Sequence, residues 1–252
     1  MSSKIITVWG SPASGKTLLS LSLGAAFAAQ KNNTVILNGD KLIPALPVYM
    51  PKEKFSSADS IGPLLMTNRY TDAELANRIK LHEKNEYLAF MGLSSFENYI
   101  TYTEFSKESV IRMINKLSNM TDYLIIDGVS NPLENMVTLT GLETADVIIR
   151  MITPDAKGIG YSKAAENIYV DDRFRYSEHI KILGNVRNIS PEVEIMSVMG
   201  SFDHVLEYSY EAESKMIAGE LLRGFERSSG IKYEKRIEKI CKDINERTKG
   251  NN

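Results

Sequence analysis

The octapeptide GSPASGKT, residues 10–17, follows directly on the apolar run Ile5-Ile6-Thr7-Val8-Trp9. Gly10, Gly15, Lys16 and Thr17 match the spacing G-x-x-x-x-G-K-[ST] of a phosphate-binding loop, and the stretch behind it, Leu18 to Ala29, is apolar and helix-forming. A strand running through glycines into a helix can curl its backbone N–H groups around a phosphate at the positive end of that helix. In such a loop Lys16 reaches the β- and γ-phosphates and Thr17 offers its hydroxyl to Mg²⁺. The expected phosphate site is therefore Gly10, Ser11, Pro12, Ala13, Ser14, Gly15, Lys16 and Thr17, with ATP and Mg²⁺ as its ligands. The plain alternative is a glycine turn with a chance lysine, and the strand and helix on either side argue against it.

The rest of the chain has a period that suits this start. Strand-like runs fall at Lys4 to Trp9, Thr34 to Asn38, Tyr87 to Met91, Tyr123 to Asp127, Val147 to Ile152, Ile180 to Asn185 and Glu194 to Met199. Helical patterns separate most of them, at Ser106 to Met120, Ala156 to Val170, Glu211 to Phe225 and Tyr233 to Glu246, with a shorter one at Thr71 to Leu81. Alternation of this kind predicts an α/β fold: a doubly wound, mostly parallel sheet with helices on both faces. Uninterrupted apolar runs such as Tyr123-Leu-Ile-Ile126 suit strands covered on both sides. No linker or repeat divides the 252 residues, so a single domain over 1–252 is expected. The least regular part is Lys41 to Asn85, which holds Pro44, Pro47, Pro51 and Pro63.

Two carboxylates stand where a bound Mg-nucleotide needs them. Asp127 closes the run Asp122-Tyr-Leu-Ile-Ile-Asp127-Gly128 and is the expected holder, with Thr17, of the metal. Asp40 follows the second strand in Thr34-Val-Ile-Leu-Asn-Gly-Asp40, where a carboxylate can orient or deprotonate an attacking water. For each the competing reading is an aspartate that merely opens a turn.

The totals exclude several other chemistries. The single cysteine, Cys241, forms no intrachain disulfide framework and no zinc or iron–sulfur motif, which fits a reducing cytoplasm. A net charge of −2 gives no global attraction for nucleic acid or an anionic membrane. Leu18 to Ala29 is too short for a membrane span, which needs about 20 apolar residues. Lysines and arginines crowd the last helix but alternate with Glu234, Glu238, Asp243 and Glu246, so a solvated helix docked on the sheet is expected there rather than a DNA patch. His82, His179 and His204 show no ligand spacing.

Taken in order, the phosphate loop, Gly39-Asp40, Asp122-Tyr-Leu-Ile-Ile-Asp127, Asp146-Val-Ile-Ile-Arg-Met-Ile-Thr153-Pro154 and Ile182-Leu-Gly-Asn185-Val-Arg resemble the ParA/MinD family of P-loop ATPases over most of the chain. The resemblance implies a nucleotide-dependent switch that positions or regulates a partner protein, with an ATP-dependent homodimer as one of its states. It places Asp40 in a first switch loop and Asp127-Gly128 at the start of a second, and it makes Asn185 the residue facing the adenine.

One position departs from the family. Typical members read K-G-G-x-G-K-[ST], and their first lysine crosses the dimer interface to the partner's nucleotide; here that position is Ser11. A cation supplied in trans is worth about 10³ to 10⁵ in rate in related phosphoryl transfers, so slow hydrolysis is expected unless another cation substitutes. Atypical relatives without this lysine include TadZ/CpaE-like proteins, whose usual receiver-like domain is not expected here because the loop begins at Gly10. Two other readings use the same fold: a non-hydrolysing nucleotide-binding scaffold, and a small-molecule kinase or synthetase with its pocket in Lys41 to Asn85.

Overall fold

The computed structural model of the chain describes residues 3–221 and 224–249. Its first half runs β1 (Lys4–Gly10), α1 (Lys16–Ala29), β2 (Thr34–Leu37), α2 (Leu46–Tyr49), α3 (Gly62–Thr67), α4 (Asp72–Ala76), β3 (Lys80–His82), β4 (Asn85–Met91), α5 (Lys107–Ser118) and β5 (Tyr123–Asp127). The second half runs α6 (Met136–Thr144), β6 (Val147–Ile152), α7 (Ala156–Ile168), β7 (Ile180–Val186), α8 (Glu192–Met199), β8 (His204–Glu207), α9 (Tyr210–Ile217) and α10 (Ser228–Lys249). The strands form one sheet in the order β3-β4-β2-β5-β1-β6-β7-β8, parallel throughout except for the edge strand β3.

Strand periodicity sends alternate residues to opposite faces, and both faces are buried. Ile6, Val8, Ile125, Ile149 and Ile182 pack under α1 and α10, while Leu124, Ile126 and Val35 pack under α5, and Trp9 and Ile148 under α6 and α7. This is the doubly wound α/β sheet the alternation predicts. Because β1, β2, β5, β6 and β7 all point the same way, their carboxyl ends gather at one edge, where α/β sheets place their ligands.

Three elements differ from the sequence expectation. Glu194 to Met199, read as a strand, lies in helix α8; only its Ile195 is buried, and Gly200, at φ +74°, stops it before the true edge strand β8. The short helix expected over Thr71 to Leu81 ends at Ala76, and Lys80–His82 becomes the antiparallel strand β3. The helix expected over Glu211 to Phe225 ends at Ile217, just before Gly219 at φ +65°. In each case an edge position or a glycine overrides a locally ambiguous apolar spacing.

The terminal helix docks as expected. Tyr233, Ile237, Ile240, Cys241 and Ile244 are buried on one stripe, and the Tyr233 hydroxyl lies 3.1 Å from Ser22 Oγ of α1. Its two arginines are paired, Arg236 with Glu207 at 3.0 Å and Arg247 with Asp243 at 2.9 Å and Asp203 at 3.1 Å, and Lys242 lies 3.8 Å from Glu246.

Candidate functional site

The loop from β1 to α1 is fixed by its backbone. Gly10 has φ +140°, and a Cβ there would stand 1.9 Å from the main-chain oxygen of Met151 on β6. Gly15, at φ +89°, precedes the first residue of α1, and no side chain caps that helix. The first-turn amides of α1 therefore lack side-chain partners, the arrangement that receives an anion. Ser14 Oγ donates to Ser11 O at 2.8 Å and tightens the loop from within.

Ser11 itself is turned inward and buried. Its Oγ accepts from Thr153 N at 2.9 Å, which fastens the loop to the end of β6. Pro12 and Ala13 stay exposed at the loop tip, and Asn185 Nδ2 donates to Ala13 O at 2.6 Å from the end of β7. The sequence-predicted base contact thus sits beside the loop rather than remote from it.

Lys16 Nζ donates to Ser11 O at 2.8 Å, Gly10 O at 3.2 Å and Ser130 Oγ at 2.9 Å. Burial pushes its pKa down to about 8, although the charges of Asp127 and Asp40 act against that. Asp127 is 2% exposed and accepts from hydroxyl donors on both oxygens. Thr17 Oγ1 (3.0 Å) and Tyr49 OH (2.8 Å) donate to Oδ2, and Ser20 Oγ (3.0 Å) donates to Oδ1. Burial raises the pKa of this carboxyl, while the hydrogen bonds from Tyr49, Thr17 and Ser20 and the Lys16 charge counter it. The Tyr49 phenol, fully enclosed beside that carboxylate, is held well above its ordinary pKa by burial first and by Asp127 second.

Asp40 lines the same cavity but also closes its own turn: Oδ1 accepts from Leu42 N at 2.7 Å and Ile43 N at 3.2 Å. Asp40 thus closes a turn and lines the cavity at once. Asn38 Nδ2 donates to the main-chain oxygen of Asp127 at 2.6 Å and so ties the end of β2 to the end of β5. The neighbouring cation Lys41 points away, its Nζ on Thr103 O and 4.7 Å from the centre of the Tyr99 ring.

Lys16, Thr17, Asn38, Asp40, Tyr49 and Asp127 line a cavity of about 470 Å³ at the carboxyl edge of the sheet, and Asn185 lies outside that lining. Lys16 is the only basic residue among the described residues lining it. Among the described residues, no group of three or more His, Cys, Asp or Glu could hold a metal ion by itself. The hydroxyl of Thr17 on a buried carboxylate suits a hard cation that takes its other ligands from phosphate and water, as Mg²⁺ does. Ser20, Asn38, Tyr49 and Ser130 were not foreseen. Ser20 lies one helical turn beyond Thr17, a spacing that could have revealed it; Tyr49 carries no sequence signal of its place.

No protein-family model matches the chain, and no curated protein matches it. Solved structures do. The septum site-determining protein MinD from Pyrococcus horikoshii OT3, complexed with Mg-ADP, is 15% identical over 97% of this chain and 98% of its own, with a TM-score of 0.72. A ParA family ATPase from Chlorobium tepidum TLS is 15% identical over 95% and 99%, with a TM-score of 0.76. The MinC:MinD cell division protein complex of Aquifex aeolicus matches at 12% identity over 96% of each chain, with a TM-score of 0.71. The chain therefore has the P-loop α/β fold of the ParA/MinD ATPases.

Proposed function

We propose that this protein is a cytoplasmic Mg-ATP-binding switch of the ParA/MinD type, a single ATPase domain with slow turnover whose nucleotide state is read by a protein partner. The observation that carries the reading is the convergence of Lys16, Thr17 and Asp127 on one cavity at the sheet edge, beside an uncapped helix N-terminus. Similar folds in complex with Mg-ADP and with MinC support nucleotide and partner binding.

In this reading the loop amides and Lys16 bind the β- and γ-phosphates, and Asn185 borders the adenine. Lys16 must exchange its contacts with Gly10 O, Ser11 O and Ser130 for phosphate oxygens. Thr17 and Asp127 hold Mg²⁺, which when bound neutralises charge between the phosphates. Asp40, at the cavity mouth, orients the attacking water and accepts its proton. Among the described residues no helix is long and apolar enough to cross a membrane.

A second reading, a nucleotide-binding scaffold without turnover, is favoured by the inward Ser11 and by the single lining cation. Sedimentation of Asp40→Ala with Mg-ATP and with Mg-ADP separates the two. A mass that doubles only with ATP supports the switch. One unchanged mass in both nucleotides, with ATP bound and no phosphate released by the wild type, leaves the scaffold.

A further inference from the structure

Residues 38–49 form a loop whose two ends are fastened to one residue. At the near end Asn38 Nδ2 donates to Asp127 O at 2.6 Å; at the far end Tyr49 OH donates to Asp127 Oδ2 at 2.8 Å. Between these ties lie Asp40, facing the cavity, and Leu42 and Ile43, which are 73% and 60% exposed at its mouth. Gly39 O also accepts from Asn135 Nδ2 at 3.0 Å, so the near end is held twice. The far end hangs on α2, a single helical turn whose Leu46 and Tyr49 are buried, with the Tyr49 ring 5.3 Å from Phe90.

A carboxylate oxygen offers two lone pairs. On Asp127 Oδ2 they are taken by Thr17 and Tyr49, with Asn38 Nδ2 a long third contact at 3.5 Å, while Ser20 donates to Oδ1. Thr17 lies on the Oδ2 side, so a metal held by its hydroxyl would carry its waters within reach of that oxygen. Thr17 cannot leave without losing the metal. Tyr49 can.

Resting on the nucleotide-switch reading above, we propose that the Tyr49 hydroxyl is a releasable clasp: it competes with metal-bound water for Asp127 Oδ2, and its release loosens residues 42–48, the part of the loop beyond the anchor of Lys41 on Thr103 O, with Leu42 and Ile43. Tyr49 is thus a positioning residue, acting through Asp127. It links occupation of the metal site to the surface at the cavity mouth.

The test compares wild type with Tyr49→Phe, which keeps the ring against Phe90 and removes only the hydroxyl. Fluorescent mant-ATP binding is titrated with Mg²⁺, and deuterium uptake of amides 42–50 is followed with nucleotide in Mg²⁺ and in EDTA. The clasp requires half-maximal binding at about 10- to 150-fold lower Mg²⁺ in the variant, the range set by loss of one charge-assisted hydrogen bond. It also requires that uptake rise with Mg²⁺ in wild type and be high without metal in the variant. An unchanged or higher Mg²⁺ requirement overturns it. So does wild-type uptake over 42–50 that stays level or falls on adding Mg²⁺, a result that holds even where the variant does not fold. If the wild type binds no mant-ATP in either condition, the nucleotide-switch reading fails and the clasp falls with it; binding with equal metal dependence removes the clasp alone.

Discussion

At the scale of single residues, the phosphate loop has no slack. Gly10→Ala would place a methyl 1.9 Å from Met151 O in a backbone conformation foreign to L side chains, so the loop must move or the strands part. The expected result is loss of nucleotide binding by calorimetry together with a lower melting temperature. Lys16 gives a pH signature. Its pKa in the free protein is about 8 against an ordinary 10.5, so between those values the unfolded chain holds a proton that the native one has released. This group therefore makes stability rise with pH across that window. Nucleotide affinity runs the other way, because phosphate favours the ammonium form; above pH 8 it should fall by up to about tenfold per unit, with proton uptake on binding. Titration calorimetry in buffers of different ionisation heat measures that uptake, and Lys16→Met should abolish both trends. Lys16, Thr17 and Asp127 were legible in the sequence because loop spacing and strand ends fix where they point. Tyr49 was not, since 78 residues separate it from Asp127 and only the tertiary fold joins them.

At the scale of elements, most central strands were legible and the borders were not. β1, β5 and β6 are covered on both faces, so their sequences are predominantly apolar, with few interruptions such as Thr7 and Arg150, and leave one interpretation. α8 and β8 lie towards the sheet edge, where burial is partial and a run such as Glu-Ile-Met-Ser-Val-Met fits either period. α10 shows how an amphipathic stripe becomes structural. Ile240 is fully buried against the α1 side of the sheet, so Ile240→Ala should cost about 2–5 kcal/mol in urea unfolding. Exposed Lys239→Ala on the same helix should stay within about 0.5 kcal/mol. Equal effects would mean that α10 is not part of the cooperative fold.

At the scale of the whole molecule, the cavity is built from loops after β1, β2 and β5, so a ligand there braces the middle of the sheet. Mg-ADP at 100 times its Kd should add about 2.7 kcal/mol to unfolding and raise the melting temperature by several degrees in a thermal shift assay. ADP with EDTA should give a smaller rise. The inward Ser11 bears on how copies of the chain influence one another. Its hydroxyl is committed to Thr153, and the loop tip beyond it, Pro12 and Ala13, carries no charge. Two copies meeting at this face would exchange no cation through that position, so chemistry in each would proceed on its own account. In kinetic terms hydrolysis should be first order in protein: the rate per molecule stays flat from nanomolar to micromolar concentration, and a population of these switches runs down as independent clocks rather than as paired ones.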